Sequence, residues 1–179
     1  MTDRYDTAAQ ILHWLIAAAV IGLVLAGLTL RYDLVPKPTA RTLSLLHIGT
    51  GLTVFVLMAL RLGLRILRPP PALPTPIPPA EQVLAKTGHA LFYVLLFAMP
   101  VFGVLFVQSE GHAVSWFGLV TLPPILGKSE AVKHLFEFLH FWGGIAVIGL
   151  LALHVAAVFH HQRRGTPVLR RMLPGRSAG

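Results

Sequence analysis

The chain has 179 residues and a formal net charge of +8; 55% of its residues are hydrophobic and only 12% are charged, and its mean hydropathy is +0.70. A water-soluble domain of this length carries about twice that share of charged residues, so the composition excludes an ordinary soluble protein. The absence of cysteine excludes disulfides, iron–sulfur clusters, thiolate zinc sites and covalently bound c-type haem.

Four long uncharged windows divide the sequence, at 7–30, 42–60, 87–109 and 138–162. Their lengths match or exceed the ~20 residues that a helix needs to cross a bilayer. They predict an all-α membrane protein with four transmembrane helices, at about 8–30, 42–66, 84–108 and 133–163, in one domain covering 1–179. We expect the first to be a retained helix rather than a signal peptide, because its apolar run is long and Asp3 and Asp6 dilute the positive charge before it.

The connections between these helices differ in composition. The stretch 69–79 holds seven of the fourteen prolines and predicts a stiff, extended linker, because each proline fixes φ and lacks an N–H donor. Pro100 is expected to bend the third helix. The longest connection, about 109–132, is predicted to lie along the membrane surface with Trp116 and Phe117 at the interface. A basic tail, 163–179, follows the fourth helix.

Positive charge is distributed unevenly between the two sides of the predicted bundle. Ten lysines and arginines fall on the side that holds both termini and the proline-rich linker, and five fall in the opposite loops. By the positive-inside rule, this predicts cytoplasmic N- and C-termini. The net charge therefore reflects orientation in a lipid membrane, and we expect no nucleic-acid partner.

Four histidines at membrane depth sort into two levels. His13 in the first helix and His154 in the fourth each lie nine residues from a boundary arginine on the cytoplasmic side. His47 in the second helix and His140 in the fourth lie six and seven residues from a basic residue on the outer side. Each level therefore receives one histidine from each of two helices.

The fourth helix supplies a histidine to each level, fourteen residues apart. At ~100° and ~1.5 Å per residue, the two side chains lie within about 40° of one face and about 21 Å apart along the axis. His134 and His160 point about 200° and 240° away from the His154 direction by the same arithmetic. The spacing leaves room for two stacked cofactors within one bundle.

A haem needs two axial ligands on opposite faces of a flat ring, and imidazoles on facing helices supply them. We therefore predict two non-covalent b haems, with His13 and His154 ligating the cytoplasmic iron and His47 and His140 the outer iron. Small residues beside the ligands are expected to let a macrocycle approach; they are Gly49, Gly51, Gly143 and Gly144.

Other interpretations of these residues remain open. A membrane histidine can be a core residue bonded to a neighbouring helix, and bare zinc or copper is a weaker alternative because no His-x₃-His pair or carboxylate lies at that depth. Arg61 and Arg65 follow His47 by fourteen and eighteen residues, and so lie within about 40° of its face, at cytoplasmic depth. They are candidates to pair with the propionates of the inner haem, or they simply flank the membrane.

Six segments are distributed over nearly the whole chain, namely RYDTAAQILHW, LLHIGTGL, MALRLGLR, GHALFYVLLFAMPVFG, HFWGGIAVIGLLALH and LRRMLPG. Together they resemble the bacterial cytochrome b561 group of small dihaem membrane proteins, which includes superoxide oxidases. The resemblance implies a four-helix bundle in the inner membrane. It also implies the same ligand pairs, His13 with His154 and His47 with His140.

The resemblance further implies electron transfer between a periplasmic donor and the ubiquinone pool, with superoxide as the donor in superoxide oxidases. Bis-histidine iron is six-coordinate and offers no open position for oxygen chemistry. Four polar residues near the cytoplasmic boundary are candidates for hydrogen bonding and proton delivery to a quinone, namely Gln10, His89, His160 and His161. The alternative for each is an interfacial side chain satisfied by water.

Three functional hypotheses follow. The first is a self-contained superoxide:ubiquinone oxidoreductase. Five basic residues near the outer surface could draw in an anion, although nearby carboxylates nearly cancel their charge; they are Arg31, Lys37, Arg41, Lys128 and Lys133. The second is an electron-transfer or anchor subunit whose donor is a periplasmic partner protein. The third is a histidine-lined transporter of metal ions or protons, which haem content would distinguish from the other two.

Overall fold

The computed structural model describes residues 4–72 and 77–173. Its main elements are four α-helices, α1 (Thr7–Arg31), α2 (Lys37–Leu67), α3 (Pro79–Ser109) and α4 (Glu130–Arg163). All four are long and apolar enough to cross a membrane, which confirms the predicted four-helix membrane fold. The middle of the proline-rich linker, 73–76, and the end of the basic tail, 174–179, lie outside the described residues.

The second, third and fourth helices begin before the uncharged windows from which they were predicted. α2 and α3 each start five residues before the predicted position, and both carry proline in the first turn. Proline is tolerated there because the first helical N–H groups have no intrahelical partner. Asp6 caps α1 by accepting hydrogen bonds from the backbone N–H groups of Ala8 (2.8 Å) and Ala9 (3.2 Å). α2 and α3 therefore include charged residues that precede their apolar windows.

The helices pack in chain order, with α1 against α2, α2 against α3 and α3 against α4. α4 makes few close backbone approaches to α1 or α2, so space remains between it and that side of the bundle. The buried apolar core is small and consists of Ile16, Val20, Val54, Met58, Leu96 and Val147. Most large apolar side chains face outward, as expected of helices that are apolar on all sides and span a membrane.

One end of the bundle, here the terminal end, carries the first and last described residues of the chain and the described parts of the α2–α3 linker. A 3₁₀ helix, Leu169–Arg171, folds back onto it. The Arg171 guanidinium donates to the carbonyl oxygens of Pro71 (3.0 Å) and Ala72 (2.7 Å). The Trp14 indole donates to the Met172 carbonyl oxygen (2.8 Å). We call this set of contacts the tail clasp.

The opposite end, here the loop end, holds the α3–α4 connection, which contains a small antiparallel hairpin of β1 (Ser115–Trp116) and β2 (Val120–Thr121). The Trp116 indole donates to the Thr53 hydroxyl of α2 (3.0 Å). Phe117 adopts a left-handed backbone conformation (φ +52°), and its ring occupies the space that a Cβ added at Gly49 would need. Both aromatic residues, expected at the membrane interface, therefore contact α2.

Candidate functional site

Two histidine pairs bridge the space between α4 and its opposing helices. The terminal-end pair is His13 of α1 and His154 of α4, whose ring centroids are 6.3 Å apart. The loop-end pair is His47 of α2 and His140 of α4, at 6.0 Å. The interplanar angles are 64° and 68°. The structure thus brings together the same two pairs that the sequence grouped by depth.

The spacing within each pair suits a metal held between two imidazoles. A metal–nitrogen bond is about 2 Å and the ring centre lies ~1.1 Å behind the nitrogen, so rings on opposite sides of one metal stand about 6.2 Å apart. Within 4–72 and 77–173, no three His, Cys, Asp or Glu side chains converge to hold a bare ion. A metal bound by one of these pairs must therefore bring its remaining ligands, as the iron of a haem does.

Hydrogen bonding orients one ring of the loop-end pair. The Nδ1 atom of His140 lies 3.1 Å from the Met99 carbonyl oxygen, and donation from Nδ1 leaves Nε2 available as the metal-binding atom. The Nδ1 atom of His47 is buried without a hydrogen bond of standard geometry, although the Leu23 carbonyl is close to that ring. Both features fit residues that hold a haem.

Glycines allow helices to approach the loop-end pair, but they are not the ones expected. An added Cβ would lie 3.4 Å from His47 Cε1 at Gly27 and 3.1 Å from His140 Cε1 at Gly103. Sequence reasoning missed these two glycines because they lie on helices that supply no ligand to this pair. Gly49 and Gly143, expected to face a macrocycle, instead face the Phe117 ring and the Met99 sulfur.

A third histidine adjoins the terminal-end pair. The His89 ring of α3 is 6.1 Å from the His154 ring, almost the same distance as the His13 ring. Phe92, nearly one turn further along α3, packs edge-on against His154 at 5.6 Å. His89 therefore belongs to the surroundings of the terminal-end pair.

The two candidate arginines also lie toward the terminal end. Arg61 donates to the Ala9 carbonyl oxygen of α1 (2.8 Å) and is close enough to His13 and His154 to interact with both electrostatically. The Arg65 guanidinium lies over the Tyr93 ring, 5.8 Å from its centroid. Arg61 is thus placed between α1 and the terminal-end pair, and Arg65 packs against α3.

A cavity of about 280 Å³, here the terminal cavity, opens at the terminal end between the start of α3 and the end of α4. Its lining combines two apolar residues with four polar ones; they are Ile77, Pro78, Glu81, His161, Arg164 and Thr166. The side chain of His161 is 14% exposed and that of neighbouring His160 is 51% exposed. Of the two histidines proposed from the sequence, His161 is the one that forms the cavity wall.

Glu81 is a member of this cavity that sequence reasoning missed. Its carboxylate is 3.4 Å from Arg164 Nη1 and 3.7 Å from His161 Nδ1, and its Oε2 atom is buried without a hydrogen bond. The available signal was a single carboxylate between the proline-rich linker and the third apolar window.

Gln10 is placed elsewhere. It is 2% exposed, and its side-chain amide donates to the carbonyl oxygens of Tyr5 (3.0 Å) and Arg171 (3.2 Å). It does not line the terminal cavity. Its amide instead binds the tail clasp to the first turn of α1.

A model of the prokaryotic cytochrome b561 family matches residues 4–175. The chain belongs to this family. Cytochrome b561 homolog 2 of Escherichia coli (strain K12) is 31% identical over 183 residues, covering 96% of this chain and 92% of that protein. Homolog 1 of the same organism is 29% identical over 178 residues, covering 97% and 99%. A Yersinia pestis protein named probable superoxide oxidase CybB is 28% identical over 177 residues, covering 97% and 98%.

As a cytochrome b561, the protein is a bacterial membrane protein of electron transfer, and the family implies b-type haem. The residues present fit that group, because two imidazole pairs stand at the spacing of axial ligands in the space beside α4. Haem held by these histidines would supply reversible one-electron chemistry.

Proposed function

We propose that this cytochrome b561 binds two b haems and transfers electrons from superoxide at its loop end to ubiquinone at its terminal end. The observation that carries the proposal is the pair of histidine bridges at two depths of one bundle. Their members on α4 are fourteen residues apart, which corresponds to about 21 Å along the axis. One helix thus spans the distance between a donor on one side of the membrane and an acceptor on the other.

In this proposal His13 and His154 hold the haem at the terminal end, and His47 and His140 hold the haem at the loop end. We assign Arg61 as a partner of the haem propionates because it lies near the terminal-end pair. Arg65 extends the same positive region. The two arginines also belong to the basic side of the bundle. By the positive-inside rule, that side and both termini face the cytoplasm and the loop end faces the periplasm.

We assign the quinone headgroup to the terminal cavity. Its volume of about 280 Å³ suits one substituted ring, and small-molecule pockets typically combine apolar walls with a few polar groups. The apolar walls are Ile77 and Pro78, and His161 and Thr166 are available to hydrogen-bond carbonyl oxygens. His161 follows His154 by seven residues, about 10 Å along α4, which places the cavity close to the terminal-end pair.

The assignment of superoxide as donor is supported by the name of the Yersinia pestis relative, a probable superoxide oxidase. One observation favours a second candidate, a periplasmic redox protein as the donor. Lys133 lies 3.4 Å from Glu110 and 3.7 Å from Glu130, and Arg31 lies 3.9 Å from Glu137. Such pairing reduces the positive field available to steer a small anion to the loop end.

Haem quantification and rapid kinetics on the purified holoprotein test the proposal. We expect two low-spin b haems per chain and, with superoxide and a ubiquinone analogue present, formation of quinol. His140→Ala should lose one haem, whereas His134→Ala should retain both, because His134 lies on the same helix with a side chain that is 72% exposed. Haem without a reaction with superoxide would favour the partner-protein donor, and a folded protein without haem would refute both electron-transfer readings.

A further inference from the structure

Glu81 lies where the terminal cavity meets the end of α4. It occupies the first turn of α3, and the titratable and charged groups that face it among the described residues all come from α4 and its C-cap. The distances from its carboxylate are 3.4 Å to Arg164 Nη1, 3.7 Å to His161 Nδ1 and 3.9 Å to His160 Nε2. One carboxylate thus stands among three nitrogen groups at the edge of the cavity.

The contacts of this carboxylate are unevenly distributed. Oε1 accepts a long hydrogen bond from Arg164, whereas Oε2, the oxygen nearer His161, is buried and accepts none. A buried polar atom without a partner is destabilising and calls for an explanation. The separation of 3.7 Å from His161 is wider than a hydrogen bond, and one water or a small side-chain rotation closes such a gap.

We propose that Glu81 is the proton-transfer residue for quinone reduction, taking protons from cytoplasmic water and passing them to His161 at the wall of the terminal cavity. This inference rests on the proposed quinone function. His160 and Arg164, which are largely exposed, connect Glu81 to bulk water. The His161 side chain is only 14% exposed, and the adjacent Glu81 carboxylate offers it a route to cytoplasmic protons.

The reaction balances in electrons and protons. Two superoxide anions each lose one electron and become dioxygen, and one quinone gains two electrons and two protons to become a quinol. For each proton, the O–H bond of the Glu81 carboxylic acid breaks as an N–H bond forms at His161 Nδ1. The N–H bond at His161 Nε2 breaks as an O–H bond forms on a quinone oxygen, and the ring then returns to its Nε2–H tautomer by proton exchange with water before the second proton passes. The two ring nitrogens of histidine suit this relay, and water then reprotonates Glu81.

Glu81→Gln in the full-length holoprotein is the test, because it preserves shape and removes the exchangeable proton. We expect superoxide to reduce the haems of this variant at the wild-type rate. Quinol formation should be slower by about tenfold or more, and the rate of quinol formation should lose its dependence on pH. The matched control is Glu130→Gln, since Glu130 is likewise a first-turn glutamate of a spanning helix but lies at the loop end. Once the haems are reduced, it should leave the rate and the pH dependence of quinol formation unchanged.

Infrared difference spectra recorded during turnover supply a readout that a structural role would not affect. A carboxylic-acid C=O band should appear in wild type and in Glu130→Gln and be missing in Glu81→Gln. If the Glu81→Gln protein loses its haem, the Glu81→Asp variant is tested in its place. We then expect a shifted C=O band and a rate of quinol formation between those of the wild type and of a variant without the carboxyl group. Equal rates and pH profiles in Glu81→Gln and Glu130→Gln would overturn the role of Glu81 alone. A wild-type protein that takes electrons from superoxide but never forms quinol would overturn the quinone function and this inference together.

Discussion

The His140 Nδ1 atom lies 3.1 Å from the carbonyl oxygen of Met99, the residue immediately before the proline within α3. The Met99 side chain meanwhile reaches back to α4, where its sulfur would lie 2.5 Å from a Cβ added at Gly143. One residue of α3 therefore orients a proposed ligand and packs the helix that carries it.

His13 and His89 are nearly equidistant from His154. Substituting each in turn tests which of them is a ligand of the terminal-end haem. His13→Leu should lose the terminal-end haem, because His13 comes from the helix across the space beside α4. His89→Leu should keep both haems and shift the spectrum of one of them only slightly. The measurement is the haem-to-protein ratio with a reduced-minus-oxidised spectrum. Loss of haem from His89→Leu with retention in His13→Leu would reverse the ligand assignment.

Gly49 is the position at which a methyl group should disturb the loop end. In Gly49→Ala the new Cβ would overlap three carbons of the Phe117 ring, so the hairpin tip must move. We expect a loss of about 1–3 kcal/mol in unfolding free energy, the usual cost of overpacking. Gly22→Ala is the control because no atom lies within 4 Å of its added Cβ. Equal thermal midpoints for the two variants would contradict the Phe117 contact.

The Trp116–Thr53 hydrogen bond should contribute to holding the hairpin on α2. Trp116→Phe and Thr53→Val each remove one partner, and each should cost about 1 kcal/mol. The double variant should cost less than the sum, because both substitutions remove the same bond. Thermal unfolding of all four proteins measures this coupling. Fully additive losses would mean that the bond contributes nothing in solution.

Acid stability should depend in part on Asp6. The hydrogen bond from Arg68, aided by the N–H groups of Ala9 and Ala8, lowers the pKa of Asp6 below its ordinary value of 3.8. The stabilisation is therefore complete above pH 3.8 and is lost as the pH falls through the lower folded value. Asp6→Asn keeps a good helix cap but should flatten this part of the pH–stability curve. Asp33→Asn, at the loop end, controls for the loss of one carboxylate.

The pairing of the four membrane histidines could be predicted from the sequence, for a physical reason. Charged residues cannot lie deep in hydrocarbon, so they mark depth along each helix, and depth alone sorted His13 with His154 and His47 with His140. Depth does not identify the partners of Glu81. Its contacts with α4 depend on how the start of α3 packs against the end of α4, which charge along one helix does not encode.

Other features depend on contacts that no local pattern encodes. Gly27 and Gly103 touch the loop-end rings from helices that supply no ligand to them. The position of Phe117 requires a left-handed backbone at a non-glycine residue, which is uncommon and has no sequence signature. Gln10 was grouped with the terminal histidines by depth, but its amide binds a carbonyl 161 residues away.

The tail clasp imposes an order on biosynthesis. Gln10 and Trp14 leave the ribosome early, whereas their partners Arg171 and Met172 follow only after all four helices have been made. The clasp is therefore the last part of the described chain that can close, and the terminal end stays open throughout helix insertion. A chain released before residue 171 would form a bundle with four complete helices and an unfastened terminal end, the state in which the terminal-end site is easiest to reach from outside the bundle.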